Sequence, residues 1–590
     1  MTDNGKTFLA LTGDQNFWDS KLPILYLGRW CLSYEMEKEN PEILKQVCDY
    51  HWDDRKKFYL DSLYLGDLQE RILIHLIPRL NKIHNRNHSE RFYKILFKAW
   101  LIHFLPAVFD RYSCLKACSQ NGEKLFTHVI DLNYVPPSLN QFLMDSNTDS
   151  YNHYLFSEVL KYSQIAIDSL EVKLDSKYLD LSQDNDLQAL LSGQGGFKSL
   201  LKNLSSRIAS RLNSLVVSRN NSNLSKANYT KLHLKLGQIP VAYPEIHGLG
   251  KALDLSLRKE LCEGFQAKSE FEEMFLKLLE HHLPVYTLES FQDLEKQALE
   301  TYPKNVRLIY SGNGLADDGF RFFCAHAMEQ GAKIVTMQHG GFVDTAKFSA
   351  YGEYEYEYGD YHLSWGWNDP SHSVIPFYIN KVIDPVSPSK QGDILVCFYS
   401  VYRFANRMDS WVQSSQMLLT LDRLIEMVEC LKPEVQKLVK LRFHRNFGWD
   451  EQLRFEDRCP QIRTENINSG SLFSSMKNAR LVVGTYNTTI LLECLAMNFP
   501  IVVFWSPDLD EISEKAKPRY RMLEDAKILF SDPQQFASHL AEVHENVESW
   551  WEGEKVQETK KRFLEQSMHV SEDYIQDFLT LTRKLLKETV

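Results

Sequence analysis

An α/β protein with two doubly wound, Rossmann-like parallel sheets is predicted by three observations. Short apolar runs alternate with amphipathic helical stretches through 306–367 and again through 393–533. Polar loops follow the apolar runs at Asp317-Asp318-Gly319, Gln338-His339-Gly340-Gly341 and Gly484-Thr485-Tyr486-Asn487. At 590 residues the chain also exceeds what one core usually supports. The expected division is an amino-terminal Rossmann-like domain at 1–378 with a large helical insertion at about 140–283. A linker follows at 379–392, within a stretch from Pro370 to Gln391 that holds four prolines. The second Rossmann-like domain spans 393–533, and helices at 534–590 pack back toward the first.

Taken in order, Thr7–Leu11, Ile24–Leu27 and Phe126–Leu132 read as strands. Glu42–Leu80 reads as largely helical and contains Tyr50-His51-Trp52-Asp53-Asp54-Arg55, where helical spacing sets His51 with Asp54 and Arg55. Arg91–Cys118 is a second apolar helical region, with Asp110-Arg111 as an internal ion pair. Gly193–Phe197 and Ser218–Ser225 read as exposed loops, Leu255–Leu283 as helical and Pro284–Leu288 as a strand. Val306–Tyr310, a helix over Phe320–Gln330 stopped by Gly331, and Lys333–Met337 form one βαβ unit. Both its loops then lie on the carboxyl edge of the sheet, the edge at which open α/β sheets bind ligands. In the second half, strands are expected at Asp393–Tyr399, Leu438–Phe443, Leu481–Val483, Ile501–Phe504 and Ile528–Phe530, with helices at Gln413–Leu431 and Thr488–Met497.

A net charge of −11 argues against a general nucleic-acid binder. The ten cysteines are scattered without a CxxC pair, which suits buried free thiols better than a zinc site or a disulfide framework. The amino terminus is polar and no apolar run approaches about 20 residues, so a cytoplasmic setting is the expectation. No Walker A sequence is present, and Gly312-Asn313-Gly314 fails the dinucleotide-fingerprint spacing.

Two further loops carry groups suited to phosphate. Gly484 to Thr489 leads into a helix start with free N–H groups and hydroxyls, and Glu493 is the single charge in the helix that follows. Arg442, His444 and Arg445 follow another strand, where guanidinium groups suit a diphosphate.

The motifs Leu27-Gly28-Arg29-Trp30-Cys31, Tyr50 to Arg55, Gln338 to Gly341, the acidic-aromatic run Glu353 to Asp360, and Leu363-Ser364-Trp365-Gly366-Trp367 are distributed from residue 27 to residue 367. They resemble a family of transferases encoded in O-antigen and surface-polysaccharide loci of bacteria such as leptospires. The two-domain layout resembles the GT-B glycosyltransferase architecture. Asp317-Asp318-Gly319 is similar to the acidic motif of GT-B sialyl and Kdo transferases, which use CMP-activated sugars. Their His-Pro motif is not matched, since Arg445 follows His444, while Thr488-Thr489 can stand for their hydroxyl pair.

The resemblance implies a glycosyltransferase whose donor is a nucleotide-sugar, a CMP-linked ulosonic acid such as Kdo or a sialic-acid-like sugar. The acceptor is a bacterial surface glycan or lipid-linked glycan, entering from the amino-terminal domain. Asp318 or Asp317 would take the acceptor proton, and His339 would hydrogen-bond the donor carboxylate or phosphate. Gln338, Gly340, Gly341, Arg442, His444, Arg445, Thr485, Asn487, Thr488, Thr489 and Glu493 would hold the donor. No metal and no cofactor are implied. The work would be done in the cytoplasm, with peripheral contact at the cytoplasmic face of the inner membrane. The alternatives are a glycerophosphate or polyol-phosphate transferase of GT-B type, and a non-catalytic scaffold of polysaccharide assembly.

Overall fold

The structure is a computed structural model that describes residues 6–132, 134–173, 214–219, 226–241, 243–247, 251–312, 317–380, 385–487 and 489–588. The α/β class with parallel sheets is observed, but the described residues form three sheets where two were expected. The first contains β1 (Lys6–Ala10), β2 (Ile24–Tyr26), β3 (Lys124–Val129) and β4 (Asp168–Glu171), in the order β2-β1-β3-β4. The second runs in chain order through β5 (Val216–Arg219), β6 (Leu308–Ser311), β7 (Lys333–Met337), β8 (Tyr361–Ser364) and β9 (Val374–Pro376). The third contains β10 (Asp393–Cys397), β11 (Val439–Arg442), β12 (Arg463–Glu465), β13 (Ala479–Gly484), β14 (Ile501–Phe504) and β15 (Leu529–Phe530). Its order is β12-β11-β10-β13-β14-β15, and every pairing in it is parallel.

Central strands such as Leu-Ile-Tyr-Ser of β6 and Ile-Val-Val-Phe of β14 are buried along their whole length. That is what helix-covered parallel sheets require. Several local expectations are corrected. Ser218 and Arg219 are not loop residues but the buried end of β5, and 220–225 and Gly193–Phe197 lie outside the described residues. Pro284–Leu288 holds a 3-10 turn over Val285–Thr287, not a strand. The proline-marked stretch contains β9, an edge strand whose last residue is Pro376, a position that needs no ladder N–H.

The helix Arg55–His84 starts at Asp54, whose carboxylate accepts from Lys57 N at 3.0 Å. The helical run Glu90–Ser119 is long and apolar enough to cross a membrane, unlike the sequence expectation, yet 94% of its most apolar window is buried inside the protein. An all-round apolar helix is what the centre of a large core demands. Helix Glu554–Ser567 sets Val556 and Phe563 into the core of the third sheet. Helix Tyr574–Glu588 instead covers the second sheet, burying Ile575, Phe578, Leu579 and Leu585 against Leu308, Tyr310, Val335 and Leu363.

Polar nodes tie the amino-terminal half to the third sheet. The guanidinium of Arg55 donates to Glu511 (Nε to Oε1, 3.1 Å), to Gln416 Oε1 (3.0 Å) and to the carbonyls of Trp411 and Leu509. Arg454 pairs with Glu37 at 2.6 Å and Arg519 with Asp344 at 2.6 Å.

Candidate functional site: a cleft at the strand-order reversal

In the third sheet the strand order reverses between β10 and β13, so the loops leaving their carboxyl ends diverge and open a crevice. Thr485 Oγ1 donates to the Cys397 carbonyl at 2.9 Å and fastens the two strand ends at its base. Above them lies a cavity of about 560 Å³, a size that takes a small molecule. One wall comes from the amino-terminal half: Ala99, His103, Leu139, Leu143, and Tyr351 and Tyr354 of helix Ala350–Tyr358. The other is the long loop after β10, with Tyr399, Tyr402, Arg407 and Trp411, together with His444, Phe447 and Tyr486.

Aromatic rings dominate this lining. Tyr399 and Tyr486 lie 4.4 Å apart between ring centres, and Tyr402 meets Phe447 edge-on at 4.5 Å. Flat apolar faces with hydroxyl rims suit bases and sugar rings. Arg407 pairs with Asp409 and lies 5.6 Å from the ring of Tyr351 and 5.5 Å from that of Trp411. His103 Nδ1 donates to the Asn406 carbonyl at 3.2 Å, and burial pushes its pKa down to about 3, so it remains neutral. Two acids sit behind the lining. Glu451 accepts from the hydroxyl of Ser400, and burial raises its pKa to about 7. Asp510 accepts from Asn487 N at 3.0 Å and is raised, again chiefly by burial, to about 7.

The predicted residues divide by position. His444 is exposed on the cleft wall, and the surrounding protein, Arg445 and Arg442 lower its pKa. Arg445 lies over Phe447 at 5.7 Å. Arg442 faces away from the cavity, with Nη1 donating to Glu465 (2.8 Å) and Ser475 (3.2 Å). Asn487 is buried, donating to Thr345 Oγ1 at 3.0 Å and accepting from the Tyr520 hydroxyl. Thr488 lies outside the described residues. Thr489 Oγ1 accepts from Gly341 N at 3.1 Å, so the Gln338–Gly341 loop sits against the start of helix Thr489–Met497, on which Glu493 is buried. Gly340 accepts from Gln338 Nε2 at 2.8 Å.

Gln338 is buried, and its amide oxygen accepts from Trp365 N (2.7 Å) and Trp367 Nε1 (2.8 Å). Two motifs far apart in the sequence are therefore one hydrogen-bonded unit. Asp317 is the cap of helix Asp318–Glu329, accepting from Phe320 N at 2.9 Å, and it pairs with Arg219. Burial raises its pKa and Arg219 opposes the rise. Asp318 is fully buried and pairs with Arg321 of the next turn. Neither aspartate lines the cavity. Asp318 lies behind it, within 3.5 Å of the N–H of the lining residue Leu139. His51 pairs not with Asp54 and Arg55 but with Asp110 (3.1 Å), which also accepts from Tyr50 (2.9 Å) and Arg111 (2.7 Å).

His339 keeps 22% of its side chain exposed and meets Tyr351 of the cavity wall edge-on at 5.3 Å. Its Nδ1 lies 3.7 Å from Glu355 Oε1. Glu355 is 0% exposed and neither of its carboxyl oxygens has a hydrogen-bond partner among the described residues. Burial drives its pKa well above the usual carboxylate range, opposed only by Arg407. Sequence reasoning assigned Glu355 no role. The signal was present: Tyr351, Tyr354, Glu355 and Tyr358 stand at i, i+3, i+4 and i+7, one helix face, so a carboxyl occupies a core position.

Fold and cleft together define a class, an α/β protein of parallel sheets with a small-molecule cleft between its halves. The chain belongs to the LIC12162 family of transferases, whose profile, described as "LIC12162 family transferase", matches residues 7–581. No curated protein matches the sequence. Among solved structures it is similar to a glycosyltransferase from Rickettsia africae ESF-5 at 11% identity and a TM-score of 0.33, over 63% of this chain and 97% of that one. It is also similar to the spinosyn forosaminyltransferase SpnP, at 11% identity and a TM-score of 0.29, over 66% of this chain and 95% of that one. An α,α-trehalose-phosphate synthase (UDP-forming) from Burkholderia vietnamiensis matches at 10% identity and a TM-score of 0.28, over 62% and 87% respectively. Scores of this size leave the fold to be argued from the sheets themselves.

Proposed function

We propose that this transferase is a GT-B-type glycosyltransferase that moves a sugar from a nucleotide-activated donor to a surface-glycan acceptor on the cytoplasmic side of the membrane. The observation that carries this reading is the aromatic cavity at the β10/β13 reversal, closed on its far side by the amino-terminal half. In this reading the nucleotide lies against the third sheet, with the Tyr402 and Phe447 rings as its stacking surface. Arg407 and Arg445 offset the charge of the departing phosphate without a metal, and His444, held neutral, can donate a hydrogen bond to it. The acceptor enters past Tyr351 and Tyr354.

His339 takes the acceptor's hydroxyl proton as that oxygen bonds to the sugar carbon and the nucleotide phosphate leaves with the bonding pair. Glu355, kept neutral by burial, lies 3.7 Å behind its Nδ1 and positions the ring rather than balancing its charge. Asp317 and Asp318 then serve the helix that supports this wall, rather than the chemistry. The donor we assign is a CMP-linked ulosonic acid, a reading that rests on the similarity of the Asp317-Asp318-Gly319 segment to the acidic motif of CMP-sugar transferases.

Nucleotide-dependent thermal stabilisation tests both levels. CMP raising the melting temperature more than CDP, UDP or GDP is the expected result. A shift with UDP or GDP alone discards the ulosonic donor, a shift with CDP alone favours polyol-phosphate transfer, and no shift with any of the four overturns the nucleotide-sugar reading.

A further inference from the structure

Away from the cleft, three segments of the amino-terminal half converge on one point. The connection between helix Arg55–His84 and the run Glu90–Ser119 carries His88, helix Phe291–Thr301 carries Glu295, and helix Asp318–Glu329 carries His326 and Glu329. His326 Nε2 lies 3.0 Å from Glu295 Oε1, and His88 Nε2 lies 3.8 Å from the same oxygen. The three ligand atoms are all within 4.8 Å of one another. Ligands about 2.1 Å from a tetrahedral zinc ion stand about 3.4 Å apart, so the two short separations bracket the required value.

The surroundings fit the same geometry. His88 Nδ1 donates to Glu329 Oε2 at 2.7 Å, which leaves Nε2 as the unprotonated, ligating nitrogen. That Nε2 is buried and has no hydrogen-bond partner among the described residues. An orphaned buried nitrogen is costly unless something else occupies its lone pair. Glu329 is itself held, its other oxygen accepting from Ser89 N at 2.6 Å. The His88 ring is fixed by stacking on Phe92 at 3.6 Å. Arg86 donates to Glu295 Oε2 at 2.8 Å, so Oε1 is the oxygen turned toward the imidazoles. A carboxylate holding one nitrogen of a histidine while the other ligates is the usual outer shell of a protein-bound metal.

A second cluster, His51, Asp110 and Cys114, lacks these features. Asp110 already accepts from Tyr50, His51 and Arg111, and burial drives the Cys114 thiol well above its ordinary pKa, so it keeps its proton.

We propose that His88, Glu295 and His326 form a structural site for a divalent transition metal, zinc by ligand type, with Glu329 as the positioning residue. The ligand side chains keep 11%, 9% and 15% exposure, enough for water to complete a fourth position. The ion joins the amino-terminal helices to the helix that follows β6.

The test uses the full chain, stripped by chelator dialysis and titrated with zinc chloride alone, then with cobalt(II) chloride. The expected result is one equivalent of zinc and a raised melting temperature. Cobalt should show the visible absorption of a tetrahedral site and no near-ultraviolet thiolate band. His88→Gln and His326→Gln, folded by circular dichroism, should lose that equivalent. Glu329→Gln should keep it with about 10–100-fold weaker affinity. Wild type that binds no stoichiometric zinc, a cobalt complex with a thiolate band, or folded histidine variants that bind as wild type would each overturn the site. Should neither histidine variant fold, the wild-type cobalt spectrum decides alone.

Discussion

At the carboxyl ends of β6 and β7 most polar side chains are buried and already bonded, whereas at the carboxyl ends of β10 and β13 they stand around a cavity. Asp317 has Arg219 and a helix N–H, Asp318 has Arg321, and Gln338 has two tryptophans. In the third sheet, Tyr402, Arg407, His444 and Tyr486 border open space. Richness in polar residues at strand ends is common to both. What separates them is whether a partner from elsewhere in the chain has taken each group. Glu355, on the helix after β7, is an exception, buried beside His339 with neither carboxyl oxygen hydrogen-bonded among the described residues.

The widest expected contrast is between His339 and the aspartates. His339→Gln should lower turnover by about 10²–10⁴-fold while nucleotide affinity, read by thermal shift, barely changes. Full turnover in a folded His339→Gln protein would break the assignment of the base. Asp318→Asn should act on folding instead, leaving Arg321 buried without its counter-charge at a cost of roughly 3–5 kcal/mol in denaturant unfolding. An Asp318→Asn enzyme of normal stability and no activity would return the aspartate to the chemistry.

A smaller effect sharpens the comparison from the cleft side. Glu451 is raised from about 4.5 to about 7, so in the folded state it holds its proton where the unfolded chain has released it. The stability tied to the protonated form is complete below pH 4.5 and lost as pH rises through 7, on the order of 3 kcal/mol. Glu451→Gln should flatten the decline of unfolding free energy between pH 5 and 8. An unchanged slope would show that Glu451 ionises freely. Last, Tyr402→Ala should weaken nucleotide binding about tenfold with little loss of stability, since the ring is 40% exposed and at the cavity rim.

The centre of each later sheet was legible because buried parallel strands need continuous apolar runs, and Lys333–Met337 and Ile501–Phe504 were read to the residue. The edges were not. All four residues of β4, Asp-Ser-Leu-Glu, are exposed, and β12 is Arg-Thr-Glu. Such strands are held by backbone pairing to a neighbour and bury too little to write an apolar signature. The loops at strand ends could be located from alternation alone, but their fate could not. Arg219 lies 98 residues from Asp317, and Glu465 lies 23 from Arg442. Local patterning carries no trace of such a partner, whereas Glu355, a carboxyl on a core-facing helix stripe, was readable in principle.

The helix Tyr574–Glu588 has a consequence for how the chain emerges from the ribosome. Its Thr582 bonds Tyr310 of β6 at 2.9 Å, across 272 residues. At ~5–20 residues per second, about fifteen to fifty seconds of synthesis separate the two partners. Throughout that interval Leu308, Tyr310 and Val335 lack the cover they have in the finished protein. The strands of the third sheet, ending at Phe530, are all made first. The half that is translated earlier is the half that finishes folding later, and until then its apolar sheet face is a natural client for a chaperone.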